Sequence, residues 1–144
     1  MEYTSIVCGV TGSAHSQKAA LEAAHLARKN GARLTYVYAI DVTFLRGGIT
    51  SAQNVEKSLE RLGNHIVEIA VEIASTLGVT PKKVVGKGHV MEVLKKTILE
   101  EKADLLVLGH QKRTFFEKAL FKGSVENQIG ELKRQTGVDV TVVP

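Results

Sequence analysis

Apolar and polar positions in this chain fall into two recurring patterns: short β-branched runs, and longer stretches that repeat every three or four residues. Residues 3–8 (YTSIVC) form an apolar run broken by Gly9-Val10-Thr11-Gly12, which predicts a strand and then a turn. Ser13 is placed to cap an alanine-rich helix that Gly31 ends. On that helix Ala20, Leu21, Ala24 and Ala27 share one face, small enough to lie close to a sheet. Residues 33–40 (RLTYVYAI) predict the second strand, and 41–50, with Gly47-Gly48 and no clear period, predict a loop. Ser51 can cap a long helix over about 52–77. Its Val55, Leu59, Leu62, Ile66, Ile69, Ile73 and Leu77 step by 4, 3, 4, 3, 4 and 4, one stripe expected to be core. Gly78 and Pro81 separate it from a third strand at 82–85. Gly86-Lys87-Gly88 then turns into a helix whose Val90, Val93, Leu94, Ile98 and Leu99 are expected to face inward. Residues 104–108 (DLLVL) are nearly all apolar, as in a strand covered on both faces. A basic loop over 109–122, a helix from about 124 to 135 stopped by Gly137, and a last strand at 138–143 (VDVTVV) complete the chain.

Strict alternation of strand and helix predicts a parallel sheet with right-handed crossovers and helices on both faces, an α/β three-layer sandwich. A chain of 144 residues suits one domain over 1–144. Hydrophobic residues at 44% and charged residues at 24% exclude a disordered or fibrous chain. No apolar run approaches the roughly 20 residues of a membrane span, and the first residues lack the basic and apolar regions of a signal peptide. The lone cysteine, Cys8, cannot form an internal disulfide, so a cytoplasmic setting is expected, with Cys8 as a small core residue.

In open parallel sheets ligands bind outside the carboxyl ends of the strands, where the strand order reverses. The segments to inspect are therefore 9–13, 39–50, 86–89 and 109–124, and among their glycines are Gly9 and Gly12, Gly86 and Gly88, and Gly109 and Gly123. Such glycines either close tight turns or line an anion pocket with backbone amides, and their convergence on one edge favours the pocket. Segment 109–124 is long for its position and sets Lys112, Arg113, Lys118 and Lys122 against Glu117 alone, within a net charge of +4. Gly123-Ser124 opens a helix, bringing free amides, the positive end of the dipole and a hydroxyl together, a combination that suits phosphate. His110 directly follows the fourth strand, where it could stack on a ligand or sit at the surface.

The remaining histidines show no metal-ligand spacing, so no metal site is expected. The chain has no G-x-S-x-G elbow, no Walker A lysine motif and no G-x-G-x-x-G, and no residue stands out as a general base. A receiver domain would need acidic residues at strand ends that end here in Val10-Thr11 and Val85-Gly86. A nucleic-acid surface would need stacking aromatics beyond Phe115 and Phe116. The last strand could be an exposed edge, which pairing across a dyad would satisfy.

The opening Ile6-Val7-Cys8-Gly9-Val10-Thr11-Gly12-Ser13-Ala14-His15-Ser16 resembles the first strand and "DGS-x-x-S" turn of the universal stress protein family. Gly88, Leu105-Leu106-Val107-Leu108-Gly109 and Gly123-Ser124-Val125 are similar to that family's later motifs, and the likeness spans essentially the whole chain. The resemblance implies an adenine nucleotide alpha-hydrolase-like sheet of order 3-2-1-4-5. It also implies a cytoplasmic homodimer paired through residues 138–143, acting in the stress response without catalysis and, in one branch, holding ATP or AMP. By the same resemblance Thr11 and Ala39 would lie near the base, Gly88 and Gly109 by the ribose, and Gly123, Ser124 and Val125 at the phosphates. Two departures from the branch signature G-x2-G-x9-G-(S/T) stand out. Lys112 replaces the second glycine, with ten residues rather than nine before Gly123, and Thr11 replaces the turn aspartate. Lost backbone access and a lost acceptor imply weak or degenerate nucleotide binding. The alternative is a competent ATP-binding protein, with slow ATPase or nucleotide-switch activity, that uses Lys112 and Arg113 on the phosphates.

Overall fold

The computed structural model describes residues 2–12, 14–40, 49–109 and 125–144. Its strands are β1 (Ser5–Gly9), β2 (Arg33–Ile40), β3 (Lys82–Lys87), β4 (Leu105–Gly109) and β5 (Asp139–Val143), and its helices are α1 (Ala14–Asn30), α2 (Ile49–Ser75), α3 (Val90–Glu101) and α4 (Val125–Thr136). All pairings are parallel, in the order β3-β2-β1-β4-β5. The chain thus starts in the middle of the sheet, builds outward through β2 and β3, and returns to add β4 and β5 on the other side. The order reverses between β1 and β4, as the family resemblance implied.

The pleat sorts the strand residues onto two cores. Ile6, Cys8, Leu34, Tyr36, Leu105 and Val107 pack under α1 and α2. Val7, Val37 and Leu106 pack with Val93, Leu94, Ile98 and Leu132 of α3 and α4. Central strands covered on both sides are continuously apolar, which explains why β1 and β4 carry no alternating pattern. Cys8 is fully buried, and burial pushes its thiol well above the usual range. It is core, as expected. Tyr36 is fully buried too, its hydroxyl donating to the Ala20 carbonyl at 2.7 Å.

Three expectations about inward faces need correction. On α1 the buried stripe is Ala19, Ala20, Ala23, Ala24 and Ala27, while Leu21 is 41% exposed. On α3 Leu99 is 53% exposed, and Thr97 is buried in its stead, donating its hydroxyl to the Val93 carbonyl. On α2 Val55 and Leu62 are exposed, and the buried line runs through Gly63, Ile66, Val67, Ala70 and Ala74. The cause is common to the helices: small residues mark the line of closest approach to a sheet, and large apolar ones flank it. A Cβ on Gly63 would stand 2.7 Å from Tyr38 Cδ1, so α2 meets β2 where it has no side chain. Boundaries also move: α2 begins at Ile49, within the span expected to be loop, and β3 runs on to Lys87.

The lateral edges of the sheet differ. β3 presents Lys82, Lys83 and Lys87, each paired with a glutamate: Lys82 with Glu101 at 2.6 Å, Lys83 with Glu68, and Lys87 with Glu56 and Glu60 at 2.9 and 2.6 Å. Lysine on an edge strand blocks further strand addition. β5 (DVTVV) has no lysine; Thr141 and Val142 are exposed, while Val140 and Val143 pack partly against the two cores.

Candidate functional site

Register alone gathers the strand-end candidates along one edge. Gly9 pairs with Val37 and Cys8 with Val107, so Thr11, Ala39 and Gly109 lie within about two residues of a common line. Ala39 pairs in turn with Gly86, and the Gly88 amide donates to the Ile40 carbonyl at 2.9 Å, adding Gly88 to that edge. Gly88 holds φ +135°, a conformation that side chains disfavour, and this lets β3 turn through His89 into the first turn of α3.

The crevice between β1 and β4 is closed by direct backbone packing. A Cβ on Gly109 would come within 2.6 Å of the His15 carbonyl oxygen and 3.0 Å of the Ser16 nitrogen. The first turn of α1 therefore lies across the end of β4, and only glycine allows it. On the other side of that turn Ser16 is nearly fully buried, and its hydroxyl accepts the Thr11 amide at 2.6 Å. This bond holds the strand-one turn in place and leaves the Thr11 side chain exposed. Ser16 is a positioning residue that spacing alone did not single out, although it stands three residues after Ser13 in the turn motif.

α1 carries no acidic residue in its first turn, so no carboxylate of its own offsets the positive end of its dipole at this edge. α3 also starts here, with Glu92 in its first turn. α4 starts at Val125 and runs down to β5, whose first amide donates to the Asp104 carbonyl at 3.1 Å at the opposite edge. Three helix N-termini thus face the carboxyl ends of the strands, and their amides suit an anion. At the rim Lys87 is held between Glu60 and Glu56, whose hydrogen bonds raise its pKa above the usual lysine range. Their i,i+4 spacing on α2 was the sequence signal for this clamp.

Thr11, Ala39, Gly88, Gly109 and Val125 are therefore placed at or beside one edge, while His110, Lys112, Arg113, Gly123 and Ser124 lie outside the described residues, as do Ser13 and 41–48. Beside Thr11 and Gly12 the described residues bound a cleft of only about 50 Å³, between α1 and α2. A nucleotide needs several hundred, so the strand-one turn alone does not form a pocket. Among the described residues no group of three or more His, Cys, Asp and Glu could hold a metal ion, and no helix is long and apolar enough to cross a membrane.

The family model described as the universal stress protein family matches residues 2–144. The chain belongs to the universal stress protein family. Solved structures agree on the fold. A universal stress family protein from Burkholderia pseudomallei superposes with a TM-score of 0.76 at 21% identity, covering 99% of this chain and 96% of that one. A universal stress protein in complex with cAMP gives 0.72 at 25% identity, over 100% and 99%. One from Archaeoglobus fulgidus in complex with dAMP gives 0.66 at 17% identity, over the whole of both chains. No curated protein sequence matches the chain significantly.

Proposed function

We infer that this universal stress protein is a non-enzymatic, cytoplasmic stress-response protein, acting as one domain over 1–144. It pairs as a homodimer through β5 and holds an adenine nucleotide weakly at the carboxyl ends of its strands. The observation that carries the nucleotide reading is the alignment of Thr11, Ala39, Gly88 and Gly109 on the edge that three helix N-termini face. That two relatives of the same fold hold cAMP and dAMP supports an adenine ligand. In this reading the strand-one turn and Ala39 meet the base, Gly88 and Gly109 the ribose, and Gly123, Ser124 and the Val125 amide the phosphates, with His110 beside them.

Weakness follows from two replacements. Thr11 offers a hydroxyl where a carboxylate would accept base or ribose donors more strongly. Lys112 puts a long side chain where backbone must approach a phosphate. Pairing through β5 is supported by the contrast between the edges: lysines guard β3, whereas β5 leaves Thr141 and Val142 exposed.

Lys112 and Arg113 favour a second reading, in which their charges replace the lost amide contacts and the protein binds ATP competently as a slow ATPase or nucleotide switch. Equilibrium binding of labelled ATP and AMP separates the two. Millimolar-range affinity, reduced by Ser124→Ala, is expected, and micromolar ATP affinity lost in Lys112→Ala and Arg113→Ala would favour the switch. No saturable binding at millimolar nucleotide overturns both. Sedimentation equilibrium tests the pairing, with a dimer expected for the native chain and a monomer for Val142→Lys.

A further inference from the structure

A roomy cleft lies at the other end of the molecule. At the amino ends of β1, β2 and β3, residues from five elements and two turns line an open cleft of about 510 Å³, within the range of small-molecule sites. Arg28, Arg33 and Lys82 line it against Glu101 alone, so its walls carry a net positive charge.

Two of these cations are held in place by one residue. The Glu101 carbonyl accepts Arg33 Nη2 at 3.1 Å and Ser5 Oγ at 2.9 Å, and the Glu101 carboxylate takes Lys82 Nζ at 2.6 Å. One Arg33 donor meets that carbonyl; a guanidinium has five, in a fork that matches oxyanions. Ser5 and Thr35 reach the wall as almost fully buried residues, while Ala27, Leu34 and Val79 make an apolar patch.

The nearby helix ends oppose an anion only feebly. Gly31 and Ala32 donate to the Arg28 and Ala27 carbonyls of α1, Leu77, Gly78 and Val79 to the Ala74 and Ser75 carbonyls of α2, and Lys102 and Ala103 to the Leu99 and Ile98 carbonyls of α3, so part of that partial negative charge is already met.

We propose that this cleft is a second ligand site, taking a compact organic dianion whose oxygens engage Arg33 and Arg28 and whose short carbon body lies on the apolar patch. Phosphomonoesters and dicarboxylates share that chemistry, and the amino end of the sheet lies opposite the nucleotide edge, so the site stands or falls independently of nucleotide binding.

The test is amide NMR of the full chain titrated with glycerol phosphate in one arm and succinate in the other, against sodium chloride at matched ionic strength. Saturable shifts of the Arg33, Thr35 and Gly78 amides are expected with at least one probe, unchanged by saturating ATP; the responding arm identifies the phosphoryl or the carboxylate source. Arg33→Gln and Arg28→Ala should each weaken binding about fivefold or more. Arg28 is exposed on α1 and its side chain makes no hydrogen bond or ion pair among the described residues, so its variant keeps the test decisive should Arg33→Gln unfold. Shifts no larger than those of chloride, shifts confined to the carboxyl edge, or full affinity in Arg28→Ala would overturn the proposal.

Discussion

The two ends of the sheet are held by different means. At the amino ends, side chains hold backbone. The Asp104 carboxylate accepts the Thr4 amide at 2.9 Å, the Ser5 amide at 3.0 Å and the Thr4 hydroxyl at 3.1 Å, tying the start of β1 to the start of β4. Asn30 Oδ1 accepts the Glu2 amide at 2.8 Å, and the Tyr3 hydroxyl donates to Asp139 at 3.1 Å. At the carboxyl ends, Gly9, Gly86 and Gly109 bring backbone against neighbours that a Cβ would meet at 2.6–2.9 Å. One end fixes strand order through polar side chains, and the other clears room for backbone to approach backbone or a guest. Damage to the amino-end bracket should therefore cost stability and leave nucleotide affinity alone, whereas damage at the carboxyl end should cost stability and nucleotide together.

The largest effect belongs to Gly109→Val. Its Cβ meets the carbonyl of His15, which is backbone and cannot swing aside, so α1 must lift off β4. A loss of about 3 kcal/mol is expected in urea unfolding, along with loss of nucleotide binding. A loss below about 1 kcal/mol would show that the crevice yields, and the contrast between ends would fail.

Asp104→Ala is the matching test at the amino end. It strands the part-buried Ser5 amide and the exposed Thr4 amide and hydroxyl, for an expected loss of about 1–2 kcal/mol. Nucleotide affinity should be unchanged at a temperature where the variant stays folded. A parallel drop in affinity would mean that the ends are coupled through β1 and β4.

How much of this was legible beforehand depends on the kind of signal. Strand and helix order were plain, because apolar runs such as Leu105–Leu106–Val107 and turn glycines such as Gly31 and Gly78 speak locally. Which helix residues face inward was not. Hydrophobicity weights Val55, Leu62 and Leu99, yet contact with a sheet selects Gly63, Ala70 and Thr97. The edge bearing Thr11, Ala39, Gly88 and Gly109 followed from topology, since parallel strands align their ends. The Asp104 bracket and the Glu101 hub join residues about a hundred and about seventy positions apart, and no spacing within the chain announces such pairs.

The amino-end bracket also makes stability depend on pH. Burial alone would raise the Asp104 pKa, but the Ser5 and Thr4 amides and the Thr4 hydroxyl outweigh it and hold it below its ordinary 3.8. A carboxyl depressed in the folded state binds its proton more readily once unfolded. Its contribution is whole above about pH 4 and is lost as pH falls through the lower folded value. Urea midpoints should thus fall below pH 4 in the native chain, and less steeply in Asp104→Ala. Equal slopes in the two proteins would remove Asp104 as the cause.

The smallest expected effect concerns positive φ at the helix ends. Gly31, Gly78 and Gly137 hold such a φ before β2, β3 and β5, and Gly88 does so at +135° after β3, whereas the end of α3 places Lys102 at +51°, its amide on the Ile98 and Leu99 carbonyls. A side chain in the left-handed region costs about 1–2 kcal/mol, and glycine relieves it while adding freedom to the unfolded chain. Lys102→Gly should therefore stabilise by about 0.5–1 kcal/mol, raising the melting temperature by about 2–4 °C. Gly88→Ala should move it the other way. If Lys102→Gly destabilises, then Lys102 contributes more through its side chain than its backbone loses, and the amino end relies on side chains even at this helix cap.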